Sequence, residues 1–258
     1  MDLSTLLSLP AQSLTALLLV LVRMSGLVVT APVLGATQVP ARFRVGFAVL
    51  VTMLLAPLAL QAPAPPIETP YDWTVAIAGE LALGLLLGFV ATLFLSGAQV
   101  AGHFLALQMG FSMNQLLDPV TRGTSTEIGV MMSWLATLSF LGTDSHHWLI
   151  AALWRTFKVY PPGRVSLVAP LLDKLLGLVT AMFEVSLSLM LPMAGLLLVV
   201  ELALAILSRV VPQLNVFQLG SAIKIPLGVL TLILTLPLFG STLDWTLQRF
   251  LKSWVSLF

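Results

Sequence analysis

Residues 175 to 207 make an apolar run of 33 positions in which Glu184 and Glu201 are the only charges. As one helix at 1.5 Å per residue it would reach about 50 Å, well past the ~30 Å hydrocarbon core of a bilayer. Pro192 and Gly195 sit near its middle, so the run is expected to be a broken helix or a helical hairpin. A chain that carries such a segment must hide it in lipid or against other apolar protein. The rest of the chain agrees. Of 258 residues 58% are hydrophobic and 9% charged, against about a quarter charged in a soluble domain. The class implied is an integral membrane protein, or one buried among similar subunits of a membrane-derived complex. Its length has room for about six or seven membrane-length helices and for no separate soluble domain.

The other segments follow from breaks in the apolar pattern. The first run covers about Leu14 to Leu34 and contains Arg23; it lacks a basic leader and cleavage site and reads as a retained helix. The second covers about Val45 to Leu60, after a stretch from Ala36 to Arg44 with Pro40, Arg42 and Arg44. QAPAPPIETP, residues 61 to 70, is too rich in proline to be helical. Trp73 to Ser96 follows, where Gly84 and Gly88 form a small-xxx-small pair that lets two helix backbones approach closely. The pattern continues to about Leu117 with Gln99, His103, Gln108, Ser112, Asn114 and Gln115, too many polar groups for a lipid-facing helix. Glu127 to Leu141 is a shorter run, and Gly220 to Gly240 leads to an amphipathic tail with Trp245, Arg249, Lys252 and Trp254. Two arginines in the 35 to 44 loop, against Glu68 and Asp72 in the 61 to 72 loop, place the first loop on the cytoplasmic side.

Several functions are excluded or disfavoured. Without cysteine there is no disulfide, thiol nucleophile or thiolate metal site, and twelve basic against eleven acidic residues leave no field to gather nucleic acid. No phosphate loop, GxSxG elbow or HExxH pattern occurs, so no catalytic residue, cofactor or metal is expected. Asp144, His146 and His147 come nearest to a metal set. On a helix adjacent histidines point about 100° apart and cannot grip one ion as an i, i+4 pair would. Asp144 is expected instead to cap a helix start with wet histidines beside it.

Arg23, Glu80, Glu184 and Glu201 lie within apolar runs, where a charge must pair, reach water or face protein. They read either as a proton relay in a secondary transporter or as interhelix and interface contacts. QMGFSMNQLLDP, residues 108 to 119, sets methionine and phenylalanine among glycine and amides; such flexible apolar groups seal a pore or fill a gap equally well.

The chain as a whole resembles the FliR (SctT) family of type III export-gate subunits, flagellar proteins with relatives in injectisome secretion. The resemblance runs from about residue 5 to 250. It rests on Arg23, Gly26, Ala31-Pro32, Gly35, Pro40, Arg42 and Arg44; on Gly79-Glu80, Gly84 and Gly88; and on Ala101-Gly102, Gln108 to Phe111 and Asp118-Pro119. Asp144, His146 and His147 match a family turn, and Ser208-Arg209, Pro212-Gln213, Asn215 to Phe217, Gly220 and Lys224 are the most specific match. Ser145 stands where the family has glycine, and Ser221-Ala222 where an aromatic-proline pair is expected.

The resemblance implies an all-α polytopic fold of helical hairpins with broken helices, like a FliP and a FliQ joined in one chain, about 1 to 205 and 206 to 258. It implies a non-enzymatic subunit of the flagellar gate in the bacterial inner membrane and basal body, with FliP, FliQ, FlhB, lipid and exported unfolded flagellar proteins as partners. Met109, Gly110, Phe111, Ser112, Met113, Asn114, Gln115, Leu116 and Leu117 match the loop that plugs the channel. Arg209, Gln213, Asn215 and Lys224 become interface or structural polar residues, together with Arg23, Glu80, Glu184 and Glu201. The rival is a proton-coupled transporter working through its intramembrane glutamates.

Overall fold

The computed structural model describes residues 11–36, 38–59, 69–111, 126–165, 170–211 and 219–234. These are helical apart from short connections, with no strand among the described residues. We number the helices α1 (Ala11–Thr30), α2 (Ala41–Ala59), α3 (Pro70–Met109), α4 (Glu127–Gly142), α5 (Ser145–Val159), α6 (Pro170–Val210) and α7 (Leu219–Leu234). The helical expectation is met, and α1, α3 and α6 are long and apolar enough to cross a membrane.

Helix starts follow local chemistry. Pro70 does not end the preceding linker; it is the first residue of α3, where its missing N–H costs nothing. Thr69 and Asp72 cap that end reciprocally: the Asp72 N–H donates to Thr69 Oγ1 (3.2 Å), and the Thr69 N–H and hydroxyl donate to Asp72 Oδ2 (3.1 and 2.7 Å). Pro40 likewise precedes α2, so the helix begins four residues before the expected Val45 and takes Arg42 and Arg44 into its first turn. The Arg44 guanidinium turns back to donate to the Ala36 carbonyl (2.5 Å) and ties the α1–α2 connection together. Thr126 caps α4 by accepting from the Gly129 N–H at 3.1 Å.

The expected break in the long run is absent. α6 is one helix of 41 residues with Pro192 inside it. Proline removes one donor from the ladder, but in apolar surroundings ending the helix would strand several backbone groups without partners. Carrying the ladder past a single gap is the smaller loss. α3 is also continuous through Gly97, as the unbroken pattern implied, and its helix ends at Met109, short of the expected Leu117.

Contacts gather the described residues into two units, one from positions 11–93 and 144–178, the other from 94–143 and 179–234. In the first, α1 buries Ala16, Leu19, Val20, Met24 and Leu27 along one stripe at helical spacing, with α3 supplying Leu83, Leu87 and Val90. The glycine pair acts as its spacing predicts. A side chain at Gly84 would run into the Arg23 carbonyl, and one at Gly88 would lie 2.7 Å from the Leu27 carbonyl and the Ala31 nitrogen. Threonines fasten the same seam: Thr30 Oγ1 donates to the Leu85 carbonyl (3.0 Å) and Thr92 Oγ1 to the Thr30 carbonyl (2.6 Å).

In the second unit α4 presents Ile128, Met132, Ala136 and Phe140, each four residues on, and α6 presents Val185, Leu189, Met193 and Leu197. Gly102 lets α3 meet α4 so closely that a Cβ there would stand 2.8 Å from the Gly129 Cα. Ser186 Oγ of α6 donates to the Gly97 carbonyl of α3 at 2.7 Å.

Candidate functional site

Arg23 occupies a core position of the α1 stripe and is wholly buried, as are Glu80 of α3 and Thr156 of α5. A guanidinium cannot lose its charge there and must spend its donors on fixed acceptors. Nε donates to Glu80 Oε2 at 2.6 Å and Nη2 to Glu80 Oε1 at 3.1 Å, a two-point clasp between planar groups. Nη1 donates to Thr156 Oγ1 (3.0 Å) and Nη2 also to the Tyr160 carbonyl (2.9 Å). The Phe157 ring lies 4.1 Å from the guanidinium carbon, in cation-π range. Glu80 Oε1 accepts in turn from the Gly163 N–H at 2.8 Å, in a turn where Gly163 has φ +80°. One ion pair thus fixes α1, α3, α5 and the turn after α5 within the first unit. Both charges were legible in the sequence. Thr156, Phe157 and the backbone of Tyr160 and Gly163 were not, because their roles appear only once α5 lies beside Arg23.

The candidate plug starts at the end of α3. Met109 is the last helical residue and is buried; a Cβ on Gly228 of α7 would lie 2.5 to 2.7 Å from its Cε, Sδ and Cγ, so the thioether rests in the gap that glycine leaves. Gly110 has φ +91°, its N–H donates to the Leu107 carbonyl (3.1 Å), and the Phe111 N–H donates to the Ala106 carbonyl (3.0 Å). This paired closure ends a helix with a left-handed residue that glycine adopts at low cost. Phe111 is part-exposed, and Ser112, Met113, Asn114, Gln115, Leu116 and Leu117 lie outside the described residues.

The remaining charges separate. Glu201 receives a 2.5 Å bond from Lys224 Nζ, joining α6 to α7. Arg209 is exposed in the last turn of α6, where the helix dipole favours a cation. Glu184 is exposed on α6 and has no ion pair among the described residues. Gln213, Asn215 and the tail with Trp245, Arg249, Lys252 and Trp254 lie outside the described residues. Glu80 is committed to Arg23 and Glu201 to Lys224, and the relay of a transporter finds no support.

Asp144 departs from its expected role. It precedes α5 in a left-handed conformation (φ 53°, ψ 26°) and its side chain caps nothing. Ser145, in the place of the family's glycine, is buried as the first helical residue.

Large apolar surface stays uncovered. Within an 18-residue apolar stretch of each helix, 22% of the residues of α6 are buried, against 61% of those of α3. Leu187, Leu191, Leu198, Val199, Leu202 and Ile206 are all exposed. Patches of that size mark lipid or protein interfaces.

Residues 14–250 match the family model described as bacterial export proteins, family 1. The chain is 33% identical to the flagellar biosynthetic protein FliR of Bacillus subtilis strain 168, over 84% of this chain and 85% of that protein. It is 32% identical to the protein of the same name in Escherichia coli K12, over 85% and 84% of the two chains. It is 25% identical to the secretion system apparatus protein SsaT of Salmonella typhimurium, over 65% of each.

Proposed function

The chain belongs to bacterial export proteins, family 1, and from that premise we propose that it helps form and plug the channel of a flagellar export gate. It is a subunit of a flagellar or type III protein export apparatus, and so works with partner subunits. The relatives of higher identity are flagellar, which favours that system over an injectisome. FliP, FliQ and FlhB are the partners we assign, with unfolded flagellar proteins as the cargo and the bacterial inner membrane, within the basal body, as the site of assembly. The chain acts by position and packing, not by catalysis.

The observation that carries this reading is α6. At 1.5 Å per residue its 41 residues reach about 60 Å, twice the hydrocarbon thickness. From Leu176 to Val210 it keeps a run of large apolar side chains exposed. Lipid can cover only about half of such a helix, so neighbouring apolar subunits must cover the rest. We divide the chain into a FliP-like part up to about 205 and a FliQ-like part from about 206, a division inside the last turns of α6 that leaves α7 in the second part.

Within the gate, the closure at Gly110 releases the chain from α3, and the segment after it, with Phe111, Met113 and Leu116, seals the path. Flexible apolar side chains exclude water and ions when together and part to let a polypeptide through. Met109 anchors the start of that segment against α7.

Affinity purification in a mild detergent tests the assignment. The tagged chain is expected to bring down at least two other kinds of apolar subunit in fixed ratio. A chain that elutes alone from membranes that also contain the candidate partners overturns the proposal.

A further inference from the structure

We propose that Asp144, His146 and His147 form a surface site for a borderline divalent transition-metal ion of the zinc, nickel or copper class. The inference does not depend on the role in export. The sequence argument against such a site was angular: adjacent histidines on a helix diverge by about 100°. It weighed the two rings alone and not where the carboxylate before the helix would lie. Both histidines stand in the first turn of α5, while Asp144 lies outside the helix in a left-handed conformation. One ligand atom from each of the three residues then falls within 4.8 Å of the others.

The detail favours an ion over an ion pair. His147 Nδ1 lies 3.7 Å and His146 Nε2 4.0 Å from the same Asp144 oxygen, too far for hydrogen bonds. Two ligands bound to one tetrahedral ion at about 2.1 Å sit about 3.4 Å apart, closer than these pairs and than the 4.8 Å within which all three ligand atoms lie. Side chains exposed by 41%, 67% and 74% can close that gap by rotation. The rings lie with centroids 4.3 Å apart at 39°, so neither blocks the other. Nδ1 of His146 is buried, which leaves Nε2 as the nitrogen of that ring open to a ligand. The Asp144 carboxylate is not engaged as a helix cap. Two imidazoles and one carboxylate suit zinc, copper and nickel better than magnesium or calcium, which prefer oxygen alone. The fourth position is open to water.

The test is a titration with Zn2+ alone of the full chain, purified with its companion subunits and stripped with EDTA. One zinc equivalent should bind with an affinity that falls by more than about tenfold in His147→Ala and disappears in H146A/H147A, while His103→Ala leaves it unchanged. Equal affinity and stoichiometry in H146A/H147A overturns the site. Companion subunits recovered in the same preparations report whether assembly survives. If the double variant fails to assemble, the unaltered complex is loaded with Cu2+ and examined by electron paramagnetic resonance. Coupling to two imidazole nitrogens upholds the site, and a spectrum with one or none overturns it.

Discussion

Glu80→Ala is expected to destabilise the chain by about 3–5 kcal/mol, the usual result of removing one partner from a buried charge pair. Arg23 would keep its charge in a fully buried place, holding Thr156 Oγ1, the Tyr160 carbonyl and the Phe157 ring but no carboxylate, and the Gly163 N–H would lose its acceptor. The chain should then disappear from membrane fractions or melt at a much lower temperature in detergent. Glu80→Gln keeps the size but not the charge, and should fail in a similar way. R23M/E80M removes both charges, and should recover part of the lost stability, since two well-packed apolar side chains often match a buried pair. Recovery will be incomplete, because Thr156, Tyr160 and Gly163 still lose partners. Western blotting of membranes and thermal unfolding of the purified complex check these outcomes. The same series separates a structural pair from a proton carrier. A carrier predicts that Glu80→Gln leaves the chain in place and stops transport, whereas a structural pair predicts loss of the chain itself.

The second large effect concerns the segment after α3. Deleting residues 110 to 116 removes the left-handed closure at Gly110, Phe111 and most of the apolar side chains that follow. Assembly should persist, because Met109 and its seat against Gly228 remain. The assembled gate should become permeable to ions and small solutes, seen as slowed growth and influx of a small charged dye when export is idle. Replacing Phe111 and Met113 by serine should give a weaker leak, since the backbone still fills space but no longer excludes water. Unchanged permeability with normal amounts of assembled complex would remove the plug from the proposal.

Gly84 and Gly88 show what a sequence can carry. Small residues four apart on an apolar run have one strong physical use, close helix contact, and the α1–α3 seam uses them so. Arg23 and Glu80 were legible as charges that must be satisfied, but not as partners, because 57 residues separate them and nothing local couples the two. The Tyr160 carbonyl and Gly163 N–H could not be foreseen at all, since every residue has those groups and only the tertiary arrangement selects which are used. Pro192 was misread because proline was weighed as in water, where a freed carbonyl finds a solvent partner. In apolar surroundings a helix continues past it. Asp144 was expected to cap α5 because it stands just before the helix, but its left-handed backbone, which no local sequence rule demands, leaves the helix end without that side chain. The uncovered length of α6 was anticipated in the apolar run from 175 to 207, where only its continuity was missed.

The central claim is that this chain borders the path of the exported protein, and site-specific crosslinking tests it most directly. A photoreactive residue at position 111, and at each position from 112 to 117, is installed in cells whose export is arrested by a substrate with a folded C-terminal domain. Crosslinks to the arrested substrate are expected from 111 and from several of the positions that follow, with none from position 138 or 199 on the apolar surfaces of α4 and α6. Substrate crosslinks absent from 111 to 117 in an assembled, export-competent gate would contradict the account.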